Sequence, residues 1–403
     1  MKKILVIKNG LSAGGTTSSF IAFLSSMANQ KEIAVDVWVG NVDQGLLTTA
    51  IPTGVQCIQN DGLEKAFHIP HGKEKIIAML KQGRLGLTLR YHLFAGRWRK
   101  TKKVITLFQK MDIKKARAQQ CIDLTMYDAV LTWEELYPCY LLAEKILAKK
   151  KIAWIHPHYQ ECGFLRKYDF SRFNKLDGIV AVSKNCQASI QAVFPEMKEK
   201  IYAVENAVSV EDILKKSLLP QSEIVPWDGV NIVTVARLQN ISKALDRAIR
   251  VSERLKKQGY AFKWYFIGDG EDRTSLIDLI RSLGMERDII LLGHQDNPYK
   301  YVKAADLFVL QSYYEGRPMV VDEAMIVGTP VLVSDYSAAR EQVPADCGMV
   351  VDNNETEILL GLESLLNDKK ILKEYRENLK MLDFEKYNAT TRYVKLLDEV
   401  IAK

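Results

Sequence analysis

The chain has 403 residues, with 56 Lys+Arg against 49 Asp+Glu, a formal net charge of +7, 47% hydrophobic residues and 26% charged ones. Those proportions exclude disorder, collagen and coiled coil as the main state. The length exceeds one comfortable hydrophobic core and predicts two domains, and no apolar run approaches the ~20 residues of a membrane span.

Met1-Lys2-Lys3 leads into Ile4–Ile7 and then Lys8-Asn9-Gly10, which reads as a first buried strand and not as a signal peptide. The loop Gly10–Thr17 (GLSAGGTT) follows, then an amphipathic helix over Ser18–Met27. Further strand-like runs are Val35–Val39, Val55–Ile58, Ala129–Leu131, Ile152–Ile155, Ile179–Val182 and Ile201–Val204. The second half repeats the pattern at Ile232–Val235, Tyr265–Ile267, Ile289–Leu292, Leu307–Leu310, Val331–Val333 and Met349–Val351. These runs are apolar throughout rather than alternating, as strands buried on both faces of a parallel sheet are. Strand alternating with helix, twice over, predicts an α/β chain of two doubly wound domains. The proline-bearing stretch Ser217–Asp228 reads as the linker between domains 1–216 and 229–383. The tail 384–403 reads as helix packing back on the first domain.

One segment departs from the average. Residues 73–117 carry fourteen cations and two acids, Glu74 and Asp112, a net charge of +12. Interleaved apolar residues predict basic amphipathic helices there. Six cysteines (Cys57, Cys121, Cys139, Cys162, Cys186, Cys347) form no CxxC pair and no zinc spacing. They predict thiols kept as small buried hydrophobes in a reducing cytoplasm, with no metal site.

Gln311–Asp335 (QSYYEGRPMVVDEAMIVGTPVLVSD) is the most informative stretch. A strand ends, a loop holds Glu315-Gly316-Arg317, and Pro318 stands where the first helical residue is expected. Val321, Ala324, Met325 and Gly328 predict one buried helix face, and Gly328-Thr329-Pro330 stops the helix before the next strand. Glu315 is therefore placed at the carboxyl end of a strand, beside free helix amides suited to phosphate or polarised hydroxyls. Glu323 follows in the helix. Upstream, Val235-Ala236-Arg237-Leu238 ends a strand, and Lys243 follows. Two cations at one strand edge are what a nucleotide diphosphate requires of its site. Ile267-Gly268-Asp269-Gly270 reads as a tight turn rather than a cation site.

In this frame the sequence resembles the family 4 glycosyltransferases of GT-B fold. Glu315 and Glu323 match that family's E-x7-E motif, inside a Glu-Gly-x-Pro…Glu-Ala-Met…Gly-Thr-Pro-Val context. The resemblance covers nearly the whole chain, most strongly Val230–Asp335, and implies two Rossmann-like domains facing across a cleft. It implies that Arg237 and Lys243 hold the donor diphosphate, that Glu315 orients the donor sugar, and that Glu323 orients the ribose. Gly316, Arg317, Pro318, Met319 and Val320 would line the donor site, with Arg317 bearing on sugar choice. Gly14 or Gly15 would lie near the donor sugar and phosphates, and His156, at the end of Trp154-Ile155-His156, near the transferred sugar. Leu292-Gly293-His294 would line the base pocket through backbone groups. Two departures from the family are Ala244 and Ala207, each where glycine is usual.

The implied activity is sugar transfer with retention, without metal or other cofactor, from a nucleotide diphosphate sugar, uridine-linked by family frequency. No carboxylate of the first domain stands out as a nucleophile, so front-face attack is the expected course. The basic segment points to an anionic membrane surface and a lipid-linked glycan acceptor at the inner membrane face, in envelope or capsular polysaccharide synthesis. The rivals are a soluble α-glucan or small-glycoside synthase, a non-catalytic nucleotide-sugar binder and, last, a nucleic-acid binder, for which no motif is present.

Overall fold

A computed structural model of the chain describes residues 1–11, 14–28, 30–40, 51–68, 102–384 and 389–403. The expected basic segment lies outside the described residues from 73 to 101. Two compact units form, Met1–Glu205 with Ala389–Lys403, and Asn206–Asn388. In chain order the first unit contributes β1 (Lys2–Lys8), β2 (Ile33–Val39), β3 (Gln56–Cys57), β4 (Ile122–Asp123), β5 (Ala129–Thr132), β6 (Ile146–Leu147), β7 (Lys151–Ile155), β8 (Gly178–Ala181) and β9 (Ile201–Ala203). The second contributes β10 (Val230–Val235), β11 (Phe262–Ile267), β12 (Ile289–Gly293), β13 (Leu307–Leu310), β14 (Val331–Ser334) and β15 (Gly348–Val351).

In the first unit seven strands pair in the order β3-β2-β1-β5-β7-β8-β9, with β4 and β6 as a separate pair. The second unit's sheet runs β12-β11-β10-β13-β14-β15. Every ladder between described strands is parallel. Parallel strands need crossovers, and the helices supply them. Each unit is thus a doubly wound, Rossmann-like sheet.

The apolar strands fill both faces by alternation. In the second unit Val233, Tyr265, Phe308, Val331 and Val333 face a core with Val321, Ala324 and Met325 of the helix Met319–Ile326. Ile232, Trp264, Phe266, Leu307 and Leu332 face the opposite core with Leu245, Ala248 and Leu255 of the helix Leu245–Lys257. In the first unit Trp133, at the end of β5, stacks on Trp154 of β7 with centroids 4.5 Å apart. Phe23 packs on Trp133 and on Tyr393 of the C-terminal helix Thr390–Ala402. Such aromatic pairs contribute roughly 0.5–1.5 kcal/mol each beyond area burial. They hold the end of the chain on the first unit.

Several expectations need correction. The division falls at Glu205/Asn206 and not within 217–228. The cause is that Val208, Ile213 and Ile224 are buried in the second unit's core, which draws the helix Val210–Ser217 and most of the expected linker into that unit. The first helix begins at Gly15, not Ser18. Val55–Ile58 shrinks to β3, whose two residues are both exposed at the sheet edge. The helix Met319–Ile326 is buried almost all round rather than on one face, since every residue but Val320 is covered. Cys57 and Cys121 are exposed, so only some of the thiols act as buried hydrophobes.

Candidate functional site

The parallel register sets β10 and β13 side by side, with Ile232 opposite Leu307 and Val233 opposite Phe308. Both strands end at the same edge, so the loops that follow them are neighbours. Arg237 lies two residues past β10 and is exposed; Lys243 closes the short helix Asn240–Lys243. Glu315 lies five residues past β13. The loops are joined where Tyr313 N donates to Ser242 O at 2.8 Å. Across the join, Lys243 Nζ donates to Glu315 Oε1 in a tight ion pair whose side chains are 23% and 12% exposed.

Backbone requirements explain several residues around this pair. Gly268 has φ +136, and a Cβ there would lie 2.0 Å from Ala236 O. A Cβ at Gly270 would lie 2.5 Å from Leu238 O. Both glycines let the turn after β11 press against the loop bearing Arg237. Asp269 closes that turn, its Oδ1 accepting from Gly270 N at 2.8 Å. Ala244 adopts φ +51, ψ +37. This left-handed position explains why glycine is usual there; alanine carries a strain of about 1–2 kcal/mol. Ala207 needs no glycine, since Leu136 and Ala244 are the positive-φ non-glycine residues among those described.

Pro318 caps the helix Met319–Ile326 from the preceding position instead of opening it, and its carbonyl accepts from Val321 N and from Gln342 Nε2. The amides of the first turn therefore face the edge that carries Glu315. Arg317 is folded against its own helix, 3.2 Å from Asp322, with both side chains largely buried. Glu323 is 8% exposed. Burial raises its pKa to about 7, Asp322 adds to the rise, and a hydrogen bond from Tyr299 opposes it.

The remaining candidates lie in the first unit. Gly14 has φ +147 and caps the helix Gly15–Met27, its carbonyl accepting from Thr17 N and Ser18 N. A Cβ on Gly15 would meet nothing within 4 Å, so local packing does not demand glycine there. His156 follows β7 and its Nε2 lies 2.9 Å from Trp133 O. A carbonyl only accepts, so Nε2 carries the proton and Nδ1 is left as an acceptor. Burial lowers this imidazole's pKa to about 4, against the Trp133 hydrogen bond, with nearby Lys8 lowering it further. Among the described residues no group of three or more His, Cys, Asp or Glu could hold a metal ion.

Sequence reasoning missed several supporting residues. Arg247 Nη2 donates to Gln311 O and, at 2.9 Å, to Asn353 Oδ1, and its guanidinium lies 4.6 Å from the Tyr313 ring centroid. Asn353 Nδ2 donates to Ser312 O and Tyr313 O. Ser337 Oγ donates to the Glu315 carbonyl at 2.9 Å. Lys8, 1% exposed, pairs with Glu134 at 2.7 Å. Lys8 alone left a trace in the sequence, as a charge directly following an apolar strand.

Two Rossmann-like units with these strand-edge loops define a chain of GT-B fold. A solved structure of similar architecture is Anabaena HepE in complex with UDP-glucose, at TM-score 0.65 and 15% identity over 100% of both chains. Residues 219–381 match the model of the family described as "Glycosyl transferases group 1". Among curated relatives, a Campylobacter jejuni N-acetylgalactosaminyltransferase acting on a diphospho-undecaprenol-linked glycan is 31% identical over 211 residues, 52% of this chain and 56% of the relative. The Staphylococcus aureus poly(ribitol-phosphate) α-N-acetylglucosaminyltransferase is 24% identical over 249 residues, 60% of this chain and 48% of the relative. The chain spans about half the length of these curated relatives.

Proposed function

We propose that the protein is a retaining, metal-independent glycosyltransferase. It moves a sugar from a nucleotide diphosphate sugar, uridine-linked, to a lipid-linked glycan in bacterial envelope or capsular polysaccharide synthesis. The observation that carries this reading is the Lys243–Glu315 ion pair, with Arg237 and a helix N-terminus on the loops that leave the same carboxyl edge of two adjacent parallel strands. Support comes from the UDP-glucose bound by the Anabaena neighbour and from the lipid-linked acceptor of the Campylobacter relative.

The chemistry asks for a departing diphosphate and a cationic sugar to be stabilised together. Arg237, Lys243 and the amides near Gly316, Met319 and Val320 act on the diphosphate, where developing charge is greatest. Its arrival competes with Glu315 for Lys243, which leaves Glu315 to accept from donor-sugar hydroxyls. Glu323 accepts from the ribose. Within the first unit, His156 presents Nδ1 as an acceptor suited to a sugar hydroxyl, and the Gly14–Gly15 turn presents backbone suited to phosphate. The bond from the anomeric carbon to the diphosphate oxygen breaks. The acceptor oxygen bonds to that carbon on the same face, and its proton passes to the leaving phosphate.

The helix Lys102–Arg117 keeps Lys110, Lys114 and Arg117 exposed. With the rest of 73–117 it docks the protein on the anionic inner face of the membrane. Among the described residues no helix is long and apolar enough to cross one. A screen of nucleotide sugars for donor hydrolysis and transfer tests the catalytic reading. Turnover of a uridine-linked donor, lost in Arg237→Ala, is expected; full turnover in that variant would remove Arg237 from the site.

A further inference from the structure

A groove of about 480 Å³, open to solvent, lies on the first unit between the helices Lys102–Arg117 and Arg166–Phe173. Its lining includes Lys110, Lys114, Arg117, Lys167, Tyr168 and Arg172. Gln109, fully buried, sets the spacing of the two helices. Its Nε2 donates to Asp169 Oδ2 at 2.8 Å, and its Oε1 accepts from Leu165 N at 3.0 Å. Tyr140 and Tyr159 also donate to Asp169, so the walls are pinned from beneath.

The groove is strongly positive. Two carboxylates lie near it: Asp169 is buried beneath and bonded to Gln109, Tyr140 and Tyr159, and Glu144 is already engaged by Arg172 at 2.9 Å, Lys175 at 3.0 Å and Arg117 at 3.6 Å. Lys110 and Lys167 reach over the Tyr168 ring from the two helices, 5.8 and 5.3 Å from its centroid. Arg172 is 3% exposed, and among the described residues its Nε has no hydrogen-bond partner. An unsatisfied buried donor beside such a groove points to an anionic acceptor.

The position separates this groove from the candidate site. The helix carrying Arg172 leads into the start of β8, and the helix carrying Arg117 leads into β4. The arginine end therefore lies toward the amino ends of the strands, whereas Gly14 and His156 follow the carboxyl ends of β1 and β7.

We infer that this groove is a binding site for the phosphodiester headgroup of an anionic membrane lipid. Lys110 and Lys167 grip the phosphate over Tyr168, while Arg117 and Arg172 supply charge at the far end. A lipid fits better than a free phosphate because the Arg166–Phe173 helix is preceded at its N-cap by Leu165, an exposed apolar side chain, and carries the amphipathic Tyr168. Those groups suit the boundary between headgroups and acyl chains. The inference rests on the membrane docking proposed above and names its contact. Lys167 stands outside the basic segment 73–117, so the groove can fail while that docking stands.

The test is sedimentation of the full chain with phosphatidylcholine vesicles, with and without phosphatidylglycerol, at low salt. The double variant Lys110→Ala/Lys167→Ala is compared with Lys370→Ala/Lys373→Ala, an equal loss of exposed charge in the second unit. At about one kcal/mol per cation, the groove pair should weaken binding to the anionic vesicles roughly thirty-fold. The control pair should bind as the unaltered chain does. Melting temperature and donor hydrolysis should be unchanged in both. Undiminished vesicle binding by the groove variant overturns the groove and leaves the docking reading intact. Failure of the unaltered chain to bind any vesicle overturns both. Displacement by soluble glycerol phosphate at the lipid's own concentration, or equal binding of duplex DNA through the same two lysines, overturns the lipid assignment.

Discussion

Lys243 and Glu315, 72 residues apart in sequence, form an ion pair where the loops after two adjacent parallel strands meet. Each partly covered charge is compensated by the other. An arriving diphosphate offers Lys243 a stronger partner and frees Glu315 for the sugar. Lys243→Ala should therefore lower turnover by about 10²–10³-fold, as loss of one transition-state donor does. Stability should fall by only about 1 kcal/mol, because the pair is partly solvated. Glu315→Gln should also lose turnover while still binding the nucleotide diphosphate. Steady-state kinetics beside calorimetric titration with UDP checks both halves.

Glu323 gives stability a pH dependence of definite sign. Its pKa is raised to about 7 by burial, so between the unfolded carboxylate value and 7 the folded state holds the proton more tightly. That stability is complete at low pH and is lost as pH rises through 7, by about 3 kcal/mol in all. The ionised form is the better acceptor for ribose hydroxyls, so UDP affinity should rise through the same window. Glu323→Gln should flatten both trends. Equal pH profiles for the two proteins, read by denaturant melts and UDP titration, would count against this assignment.

His156 has the opposite sign. With a pKa lowered to about 4, the folded state refuses a proton that the unfolded chain accepts near 6.5. Its contribution is present above 6.5 and is lost as pH falls toward 4. The imidazole should remain neutral, protonated on Nε2, throughout pH 5.5–8. Nitrogen-15 chemical shifts of the ring check this directly, and a titration midpoint near 6.5 would contradict it.

Gly268→Ala should be severe. The added Cβ meets Ala236 O at 2.0 Å and the backbone stands at φ +136, so strain and clash together should cost at least about 2 kcal/mol. The displaced loop carries Arg237, so turnover should fall further than the melting temperature alone accounts for. Thermal melts and donor hydrolysis measured on one preparation separate the two effects.

Ala244→Gly should change little, for a calculable reason. Glycine relieves roughly 1–2 kcal/mol of left-handed strain. It forfeits about 0.8 kcal/mol of buried methyl and about 0.5–1 kcal/mol of chain entropy. Stability should stay within about 1 kcal/mol of the unaltered protein, with activity retained. Chemical denaturation decides it; a larger loss would show that the Ala244 methyl carries more packing than its full burial implies.

The sequence by itself marked most of the strands and the loops that carry the candidate residues. Apolar runs such as Leu307–Leu310 and Val331–Val333 can be satisfied only by burial on both faces, so their composition reports a parallel sheet without knowledge of its neighbours. The places of Glu315, Arg237 and Lys243 were legible because they follow strand ends, which are local events, while their roles are what the family resemblance implies. Tertiary structure decided what depends on partners distant in sequence. The helix Val210–Ser217 belongs to the second unit because Ile213 finds its core there. The two-residue strands β4 and β6 exist only through each other. Arg247 and Asn353 brace the Glu315 loop from 106 residues apart. A side chain's burial, and with it the displaced pKa values of Glu323 and His156, is set by everything packed around it, and no window of sequence contains that surrounding.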